Sequence, residues 1–276
     1  EALAIAQSLA SGRKVAVWLG NLSAQHARAS ELQMLAQEIA RLTDVSFGSI
    51  GEAANSVGGY LAGAVPGEGG LDAAAMIGQP RKAYVLMNLE PDLDVADPVA
   101  TMVALEGAQL VVALSTFDSP ALRRVADVLL PIAPFTETSG TFVNCEGRAQ
   151  SFTAVARPLG EVRPGWKVLR VLGNLLALEG FGQADSEAVR AEALPADLSA
   201  ALDNGVAGVV VSPATGGAGA LERVADVPIY FADPLVRRAP SLQKTRDAAA
   251  PTARIAPATL AALGLAAGDR VRVTQG

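Results

Sequence analysis

The stretch from residue 126 to residue 152 limits the possible folds more than any other part of the chain. An apolar run from Val128 to Leu130 is followed by Pro131. Because proline lacks an amide donor, this residue indicates where a strand ends. A polar stretch containing two glycines then continues to Arg148. A buried strand that opens into a long loop folding back on itself is typical of the ligand-facing edge of α/β proteins.

The rest of the first half alternates between strand-like and helix-like patterns. Short apolar runs predict strands at residues 14–19, 44–50, 83–87, 109–114 and from Val128. Helical spacing of apolar residues predicts helices at 2–10, 31–42, 97–106 and 120–126. A longer apolar helix is predicted at 166–178, with Val168, Val171, Leu172, Leu175 and Leu176 at core positions, and a further strand at 208–211.

Strands separated by helices predict one parallel sheet with helices on both faces, an α/β fold of Rossmann-like type. Ligand sites in such sheets lie at the carboxyl ends of the strands. In this sequence those ends are the loops 20–23, 88–91, 115–118 and 131–148. Any chemistry is therefore expected at these four loops.

The chain contains one cysteine, Cys145, and one histidine, His26. Structural zinc sites and iron–sulfur clusters normally need several cysteine or histidine ligands, so neither is expected within these residues. No nucleophile motif lies near His26, which we interpret as a surface or structural residue. A reactive thiolate at Cys145 would need a neighbouring cation such as Arg148, but we interpret this cysteine as structural as well.

Three other patterns resemble functional motifs only superficially. Ser241-Leu-Gln-Lys244 has the letters of Ser-x-x-Lys, but its companion motifs are missing. Gly216-Gly-Ala-Gly219 lacks the third glycine of a dinucleotide loop, because Glu222 stands there and would repel a pyrophosphate. The basic cluster Arg237, Arg238, Lys244 and Arg246 is interpreted as a solvated or partner-facing strip.

Charge and hydropathy exclude two classes of partner. Lysine, arginine, aspartate and glutamate make up 18% of the chain, and the net charge is −6 with an acidic first half. Binding to nucleic acid needs a basic footprint, so nucleic acid is not an expected partner. No uninterrupted apolar stretch approaches the roughly 18–20 residues of a membrane-spanning helix, so direct membrane insertion is not expected either.

Several segments carry a resemblance to a known family. Residues 126–150, from Ala-Asp-Val-Leu-Leu-Pro131 to Gly-Arg-Ala-Gln150, resemble the signature of the molybdopterin oxidoreductase superfamily. The continuation through Arg157-Pro158 and Arg163-Pro-Gly-Trp166-Lys-Val-Leu-Arg170 resembles one branch more closely. That branch is the large iron–sulfur subunit of bacterial NADH:quinone oxidoreductase, respiratory complex I. Asn55-Ser-Val-Gly-Gly59 and the segment 237–243 also resemble it.

The resemblance implies a division of the chain into three parts. Residues 1–165 would form the α/β domain, 166–226 a helical segment and linker that completes it, and 227–276 the beginning of a double-psi β-barrel-like region. Such a barrel needs further strands to close its pairing. We therefore expect residues 1–276 to be part of a longer chain.

The resemblance also implies a function without catalytic residues in this chain. Iron–sulfur clusters, 4Fe-4S and 2Fe-2S, would lie in an upstream region, and residues 1–276 would bind no metal or cofactor. Other hydrophilic-arm subunits of complex I would be the partners, on the cytoplasmic side of the bacterial inner membrane. Relatives that bind the pterin nucleotide commonly read Asn-Pro where this chain reads Asn88-Leu-Glu-Pro91.

Two alternatives remain open from the sequence. One is a fragment of an active molybdopterin-dependent oxidoreductase, similar to formate dehydrogenase, with the cofactor at the strand-end loops. The other is a nucleotide-binding Rossmann-like module, which the missing glycine fingerprint disfavours.

Overall fold

The computed structural model describes residues 2–213, 221, 224, 227–248 and 252–273. The chain divides into two compact units, Glu1–Asp226 and Val227–Gly276. All strands found in the described residues belong to the first unit. The predicted three-part division of the chain stays a prediction.

The first unit opens with a two-stranded parallel sheet. Its elements are α1 (Ala2–Ser11), β1 (Ala16–Leu19), α2 (Asn21–Ala24), α3 (Ala29–Thr43) and β2 (Ser46–Ser49). Ala16 pairs with Ser46, and the register runs to the strand ends. Helix α3 buries Ala36 and Ala40, and it ends where Asp44 adopts a left-handed conformation. The predicted strands and helices of this region are confirmed, with shorter strands and slightly longer helices than predicted.

A three-stranded parallel sheet in the order β3-β4-β5 follows. Its elements are α4 (Ser56–Leu61), α5 (Ala73–Gly78), β3 (Ala83–Met87), α6 (Pro98–Glu106), β4 (Leu110–Ser115), α7 (Pro120–Val125) and β5 (Val128–Pro131). The N-cap residues of helices α5, α6 and α7 are Asp72, Asp97 and Ser119. Each of these side chains accepts a hydrogen bond from a backbone amide of the first turn. The prediction of one continuous sheet was wrong, because β1 and β2 pair separately from β3, β4 and β5.

Alternate residues of the second sheet face a hydrophobic core. Tyr84 and Leu86 of β3 and Val111 and Ala113 of β4 pack in one buried cluster with Leu105, Leu122 and Val125 of the flanking helices. The opposite face is apolar but open: Val85 is 61% exposed, and Leu110 and Val128 are also exposed. Parallel strands flanked by helices are therefore confirmed. Helices bury one face of this sheet fully, whereas the other face is covered only in part, with Leu114 buried and Val85 open.

An antiparallel hairpin completes the strands. After a 3-10 turn at Phe135–Glu137, β6 (Gly140–Val143) pairs with β7 (Ala149–Phe152). The Asn144 side-chain oxygen accepts from the amides of Glu146 and Arg148, both at 3.0 Å. This Asx geometry, with Gly147 at φ 78°, closes the hairpin. The expected fold-back of the long loop is thus a two-stranded hairpin.

The end of the first unit contains α8 (Gly165–Leu175), α9 (Ser186–Ala193) and α10 (Leu198–Ala201). The predicted core positions of α8 were wrong in part: Leu175 is 77% exposed, Val171 and Leu176 are also exposed, and its buried residues are Gly165 and Gly173. Residues 208–211 do not form the predicted strand. Side chains of α3 bind the backbone on both sides of them, at Val206 and Ser212, where a strand would need ladder partners.

The second unit is helical in its described part. It contains α11 (Pro234–Arg237), α12 (Pro240–Gln243) and α13 (Pro257–Ala262), with 3-10 turns at Ile229–Phe231 and Arg246–Ala248. The Asp269 carboxylate accepts from the amide of Ala266 and shapes the predicted Gly-Asp turn. Residues 270–273 form no strand, and 274–276 lie outside the described residues. The barrel-like continuation stays a prediction.

Candidate functional site

The carboxyl ends of β3 and β4 are joined to each other by one asparagine. Asn88 follows β3 with φ 49°, and its amide donates to the Leu114 carbonyl at 2.8 Å. Its side-chain oxygen accepts from both the amide and the hydroxyl of Thr116 at 3.1 Å. The side-chain oxygen of Asn88, which sequence reasoning placed at the ligand-facing edge, therefore binds the loop after β4.

Carboxylates dominate the segment after β3. Between Asn88 and Asp97 the chain carries Glu90, Asp92, Asp94 and Asp97 and no lysine or arginine. Glu90 is only 1% exposed, and its amide donates to the Asp94 carboxylate at 2.7 Å. Asp97 caps α6 through the amide of Ala100. The end of β3 is therefore an acidic segment whose carboxylates also organise the local backbone.

The loop after β4 is likewise closed on itself. The Ser115 hydroxyl donates to the Phe117 carbonyl at 2.6 Å, and the Phe117 amide donates back to the Ser115 oxygen. Asp118 pairs with Arg123, which lowers the pKa of the Asp118 carboxyl. These contacts fix the loop 115–118 without any external group.

The ends of β1 and β2 are linked by an exposed polar contact. Ser23 donates to the Gly20 carbonyl at 2.6 Å at the start of α2. Gln25 donates to Glu52 at 2.8 Å, which connects the loop after β1 with the loop after β2. His26 lies just beyond, and its Nδ1 accepts from the amide of Arg28 at 3.0 Å. His26 thus has a local structural contact.

One important residue was not recognised as such from the sequence. The Asn55 side-chain oxygen accepts from the amide of Val143 at 2.8 Å, across 88 residues of sequence. Val143 is buried, so this bond connects the segment after β2 to the hairpin β6–β7. The only sequence signal was that Asn55 belongs to a segment resembling the family.

The loop 131–148 leads into the start of α8. Ile132 forms a parallel bridge with Arg163, and the Ala133 amide donates to the Arg163 carbonyl at 3.0 Å. A Cβ atom added to Gly165 would lie 2.7 Å from Cε of Met87, so glycine allows α8 to approach the end of β3 closely. Cys145 at the hairpin turn is exposed, and its neighbours Glu146 and Arg148 form an ion pair at 3.6 Å.

A cleft of about 560 Å³ lies on the outer side of this loop. It is bounded by the turn after β5, the loop 154–164 and the starts of α8 and α9. Its lining contains three cations, three carboxylates and an indole ring: Arg157, Arg163, Lys167, Glu137, Asp185, Glu187 and Trp166. The Lys167 ammonium lies 5.3 Å from the Trp166 ring centroid, and the Arg170 guanidinium lies 5.9 Å from it.

The remaining sequence candidates lie in the second unit or outside the described residues. Ser241 and Lys244 belong to the short helix α12 and its C-cap. Arg237 and Arg238 donate to the Phe231 and Pro234 carbonyls, so part of the basic cluster binds its own turns. The glycine segment 216–219 and Glu222 lie outside the described residues.

The described residues lack two kinds of feature. No group of three or more His, Cys, Asp and Glu side chains in that part of the chain is arranged to hold a metal ion. None of its helices has the length and apolar content needed to span a bilayer.

Parallel strands alternate with helices, and their carboxyl ends lead into polar loops and a hairpin; this arrangement defines an α/β protein with parallel sheets flanked by helices. Residues 2–175 match the family described as Molybdopterin oxidoreductase, which is well over half of the chain. The chain belongs to the molybdopterin oxidoreductase family.

Relatives within this family fall into two groups. The chain is 38% identical over 97 residues to an NADH-quinone oxidoreductase subunit of Mycobacterium bovis. The matched region covers 34% of this chain and 12% of that protein. It is 49% identical over 51 residues to the mitochondrial NADH-ubiquinone oxidoreductase 78 kDa subunit of Candida albicans, covering 18% of this chain and 7% of that protein. It is 43% identical over 54 residues to a Staphylococcus aureus protein provisionally named formate dehydrogenase, covering 20% of this chain and 6% of that protein. The matched regions span 12% or less of the length of these relatives.

The family name raises the question of a pterin nucleotide at the strand ends. A pyrophosphate needs amide or cationic donors directed at it. At the end of β3 the segment 88–97 carries four carboxylates and no cation. These residues do not fit a pyrophosphate-bearing group.

Proposed function

We propose that this chain is a structural portion of the cluster-bearing subunit of an NADH:quinone oxidoreductase, and that it holds no redox centre of its own. The observation that carries the proposal is the end of β3, where the segment 88–97 carries four carboxylates and no cation. The match to the mycobacterial NADH-quinone oxidoreductase subunit, which is longer than the fungal and staphylococcal matches, supports it. The chain would then position neighbouring parts of the assembly while electrons pass through iron–sulfur clusters held elsewhere.

The proposed setting is peripheral to the membrane. Other hydrophilic-arm subunits would be the partners, on the cytoplasmic side of a bacterial inner membrane. Buried apolar contacts in the β3–β5 sheet and the side-chain bonds between loops give the rigid shape that such a structural role needs. No residue of this chain would touch NADH or quinone.

A second candidate function is a portion of an active molybdopterin enzyme that oxidises formate. The match to the staphylococcal protein favours it. In that case the pterin nucleotide would lie at the loops after β1, β3 and β4. The acidic segment after β3 argues against this candidate, since its carboxylates would repel the pyrophosphate.

Analysis of the full-length protein, purified from its host membranes, separates the two candidates. We expect NADH oxidation coupled to quinone reduction in the fractions that contain the protein, with molybdenum and released pterin far below one per polypeptide. Formate oxidation together with stoichiometric molybdenum and pterin would overturn the proposal.

An Asn88→Ala variant adds a structural readout. It removes the acceptor for Thr116 at an exposed position, so we expect it to lower stability by about 0.5–1.5 kcal/mol without changing the pterin content. Asn21→Ala, at the start of α2, serves as the matched control. A loss of bound pterin in Asn88→Ala alone would favour the molybdopterin enzyme.

A further inference from the structure

The cleft beside α8 combines charges of both signs that do not neutralise each other. Arg157, Arg163 and Lys167 come from the loop 154–164 and the first turn of α8, whereas Asp185 and Glu187 come from the start of α9. Glu137 belongs to the 3-10 turn after β5. Among the described residues, none of these cations forms an ion pair with any of these carboxylates within 4.0 Å.

Several of these side chains are held by contacts of their own. Asp185 caps α9 by accepting from the Ala188 amide at 2.8 Å, and Glu187 accepts from the Ser186 hydroxyl at 3.2 Å. One guanidinium nitrogen of Arg163 donates to the Val162 carbonyl at 2.9 Å. Asp185, Glu187 and Arg163 are therefore positioned by neighbouring residues and not by ion pairs across the cleft.

The lining indicates what kind of group fits. Pockets for small organic ligands are lined mainly by apolar and aromatic residues with few polar groups. Here six of the lining residues are charged, and the Trp166 ring already has the Lys167 ammonium near it. An occupant with charge of one sign would be attracted by half of the lining and repelled by the other half. Charge complementarity therefore favours an occupant that carries both signs.

We propose that this cleft receives an extended segment of a neighbouring subunit that contains both an acidic and a basic side chain. Its carboxylate would bind among Arg157, Arg163 and Lys167, and its ammonium or guanidinium would bind near Glu137 and Glu187. A volume of about 560 Å³ accommodates a few residues of such a segment. The inference rests on the proposed function in one respect, because a neighbouring subunit requires an assembly.

The two tryptophans of the chain provide a direct assay. Trp166 lines the cleft, whereas Trp18 lies on β1 against Gly48 and serves as an internal reference. The indole N–H signals of the ¹⁵N-labelled 276-residue chain are followed by NMR during titration with blocked Glu-Lys-Glu-Lys, tetra-glutamate and tetra-lysine peptides. We expect the mixed peptide to move only the Trp166 signal and to bind about three- to tenfold more tightly than either single-sign peptide.

Charge reversals locate the binding. Arg157→Glu is expected to lower the affinity for the mixed peptide several-fold. Adding Glu187→Lys in the same chain is expected to restore part of that affinity. Arg41→Glu is the control, since Arg41 pairs with Glu38 on α3 outside the cleft. If tetra-glutamate and the mixed peptide bind equally tightly, the cleft is a simple anion site and the proposal is overturned. If no peptide moves the Trp166 signal, the cleft binds none of them and the proposal is overturned as well.

The assembly itself gives the second measurement. A photoreactive amino acid at Pro158 in the purified complex should cross-link to a segment of another subunit that contains both an acidic and a basic residue. A cross-linked segment with one sign only would contradict the proposal. The peptide titration does not depend on the enzyme assays. A lack of NADH:quinone activity can therefore be distinguished from a lack of peptide binding in the cleft.

Discussion

Asparagine side chains perform the same task at three separate places in the first unit. Asn55 accepts from the Val143 amide, Asn88 from Thr116, and Asn144 from the amides of its own turn. Each one binds a backbone donor that the local secondary structure leaves without a partner. A buried amide without an acceptor is costly, so Asn55 stabilises the fold through Val143, and the exposed bonds of Asn88 and Asn144 contribute less.

Replacing Asn55 tests the longest of these connections. Asn55→Ala leaves the buried Val143 amide without its acceptor, so we expect the free energy of unfolding to fall by about 1–3 kcal/mol. Asn55→Asp keeps an oxygen at this position and should cost less. Urea denaturation of the three proteins measures the difference. Equal stability of Asn55→Ala and the parent would contradict this role.

At the residue scale, the sequence predicted the positions of the loop residues at the strand ends better than it predicted their hydrogen-bond roles. The loops at Asn88 and Asn144 were expected at the strand ends, and the structure places them there. The hydrogen-bond partners of Asn55 and Asn88 could not be predicted, because Val143 and Thr116 are brought near them only by the tertiary fold. The roles expected for His26 and Cys145 were structural, and the contact of His26 with the Arg28 amide is of that kind.

Among the elements, helix α3 holds residues 204–212 along its polar face. Gln37 both accepts from the Val206 amide at 2.9 Å and donates to its carbonyl at 3.2 Å, as a strand partner would. Glu31 accepts from the Ser212 amide at 2.7 Å, and Arg28 binds both Glu31 and the Ser212 carbonyl. These contacts explain why valine-rich residues 208–211, which read as a strand, remain irregular.

The Glu31 contacts make this attachment dependent on pH. The Arg28 guanidinium, followed by the Ser212 amide, lowers the pKa of the Glu31 carboxyl from 4.5 to about 2. Because the folded pKa is lowered, the stabilisation is complete above about pH 4.5 and is lost as the pH falls towards 2. We expect the carboxyl ¹³C signal of Glu31 and the amide signal of Ser212 to titrate together in this range.

The control for this titration is Glu31→Gln, which keeps an acceptor for Ser212 and removes the charge. In that variant the low-pH change of the Ser212 signal should disappear. A Glu31 midpoint near 4.5 in the parent protein, the ordinary value for this carboxyl, would show that the contacts with Arg28 and Ser212 do not persist in solution.

Helix α8 shows where helical spacing predicts an element but not its burial. Its existence was predicted correctly, yet Leu175 is 77% exposed whereas Leu122 of α7 is fully buried. We expect Leu122→Ala to lower the free energy of unfolding by about 2–5 kcal/mol and Leu175→Ala to change it by less than about 0.5 kcal/mol. Chemical denaturation compares the two. Similar losses for both variants would mean that α8 is buried in solution.

The whole molecule departs from its prediction in the sheet. A five-stranded parallel sheet covered on both sides was expected, because apolar runs of five or six residues are typical of such sheets. The strands do form, but β1 and β2 pair apart from β3, β4 and β5, and helices bury one face of the larger sheet. Apolar runs show that both faces of a strand lack charged side chains. They do not show which face of the sheet is covered by helices of the same chain.

The uncovered face gives a test at the scale of the molecule. Val85, Val112 and Val128 lie in one row across β3, β4 and β5 with Val85 61% exposed, so we expect the chain to bind the apolar dye ANS there. Val85→Ser combined with Val128→Ser should lower the dye fluorescence while changing stability by only about 0.5 kcal/mol per site. Val99→Ser on α6, where the valine is 75% exposed, is the control and should leave the fluorescence unchanged. Equal fluorescence of the double variant and the parent would mean that this face is covered in solution.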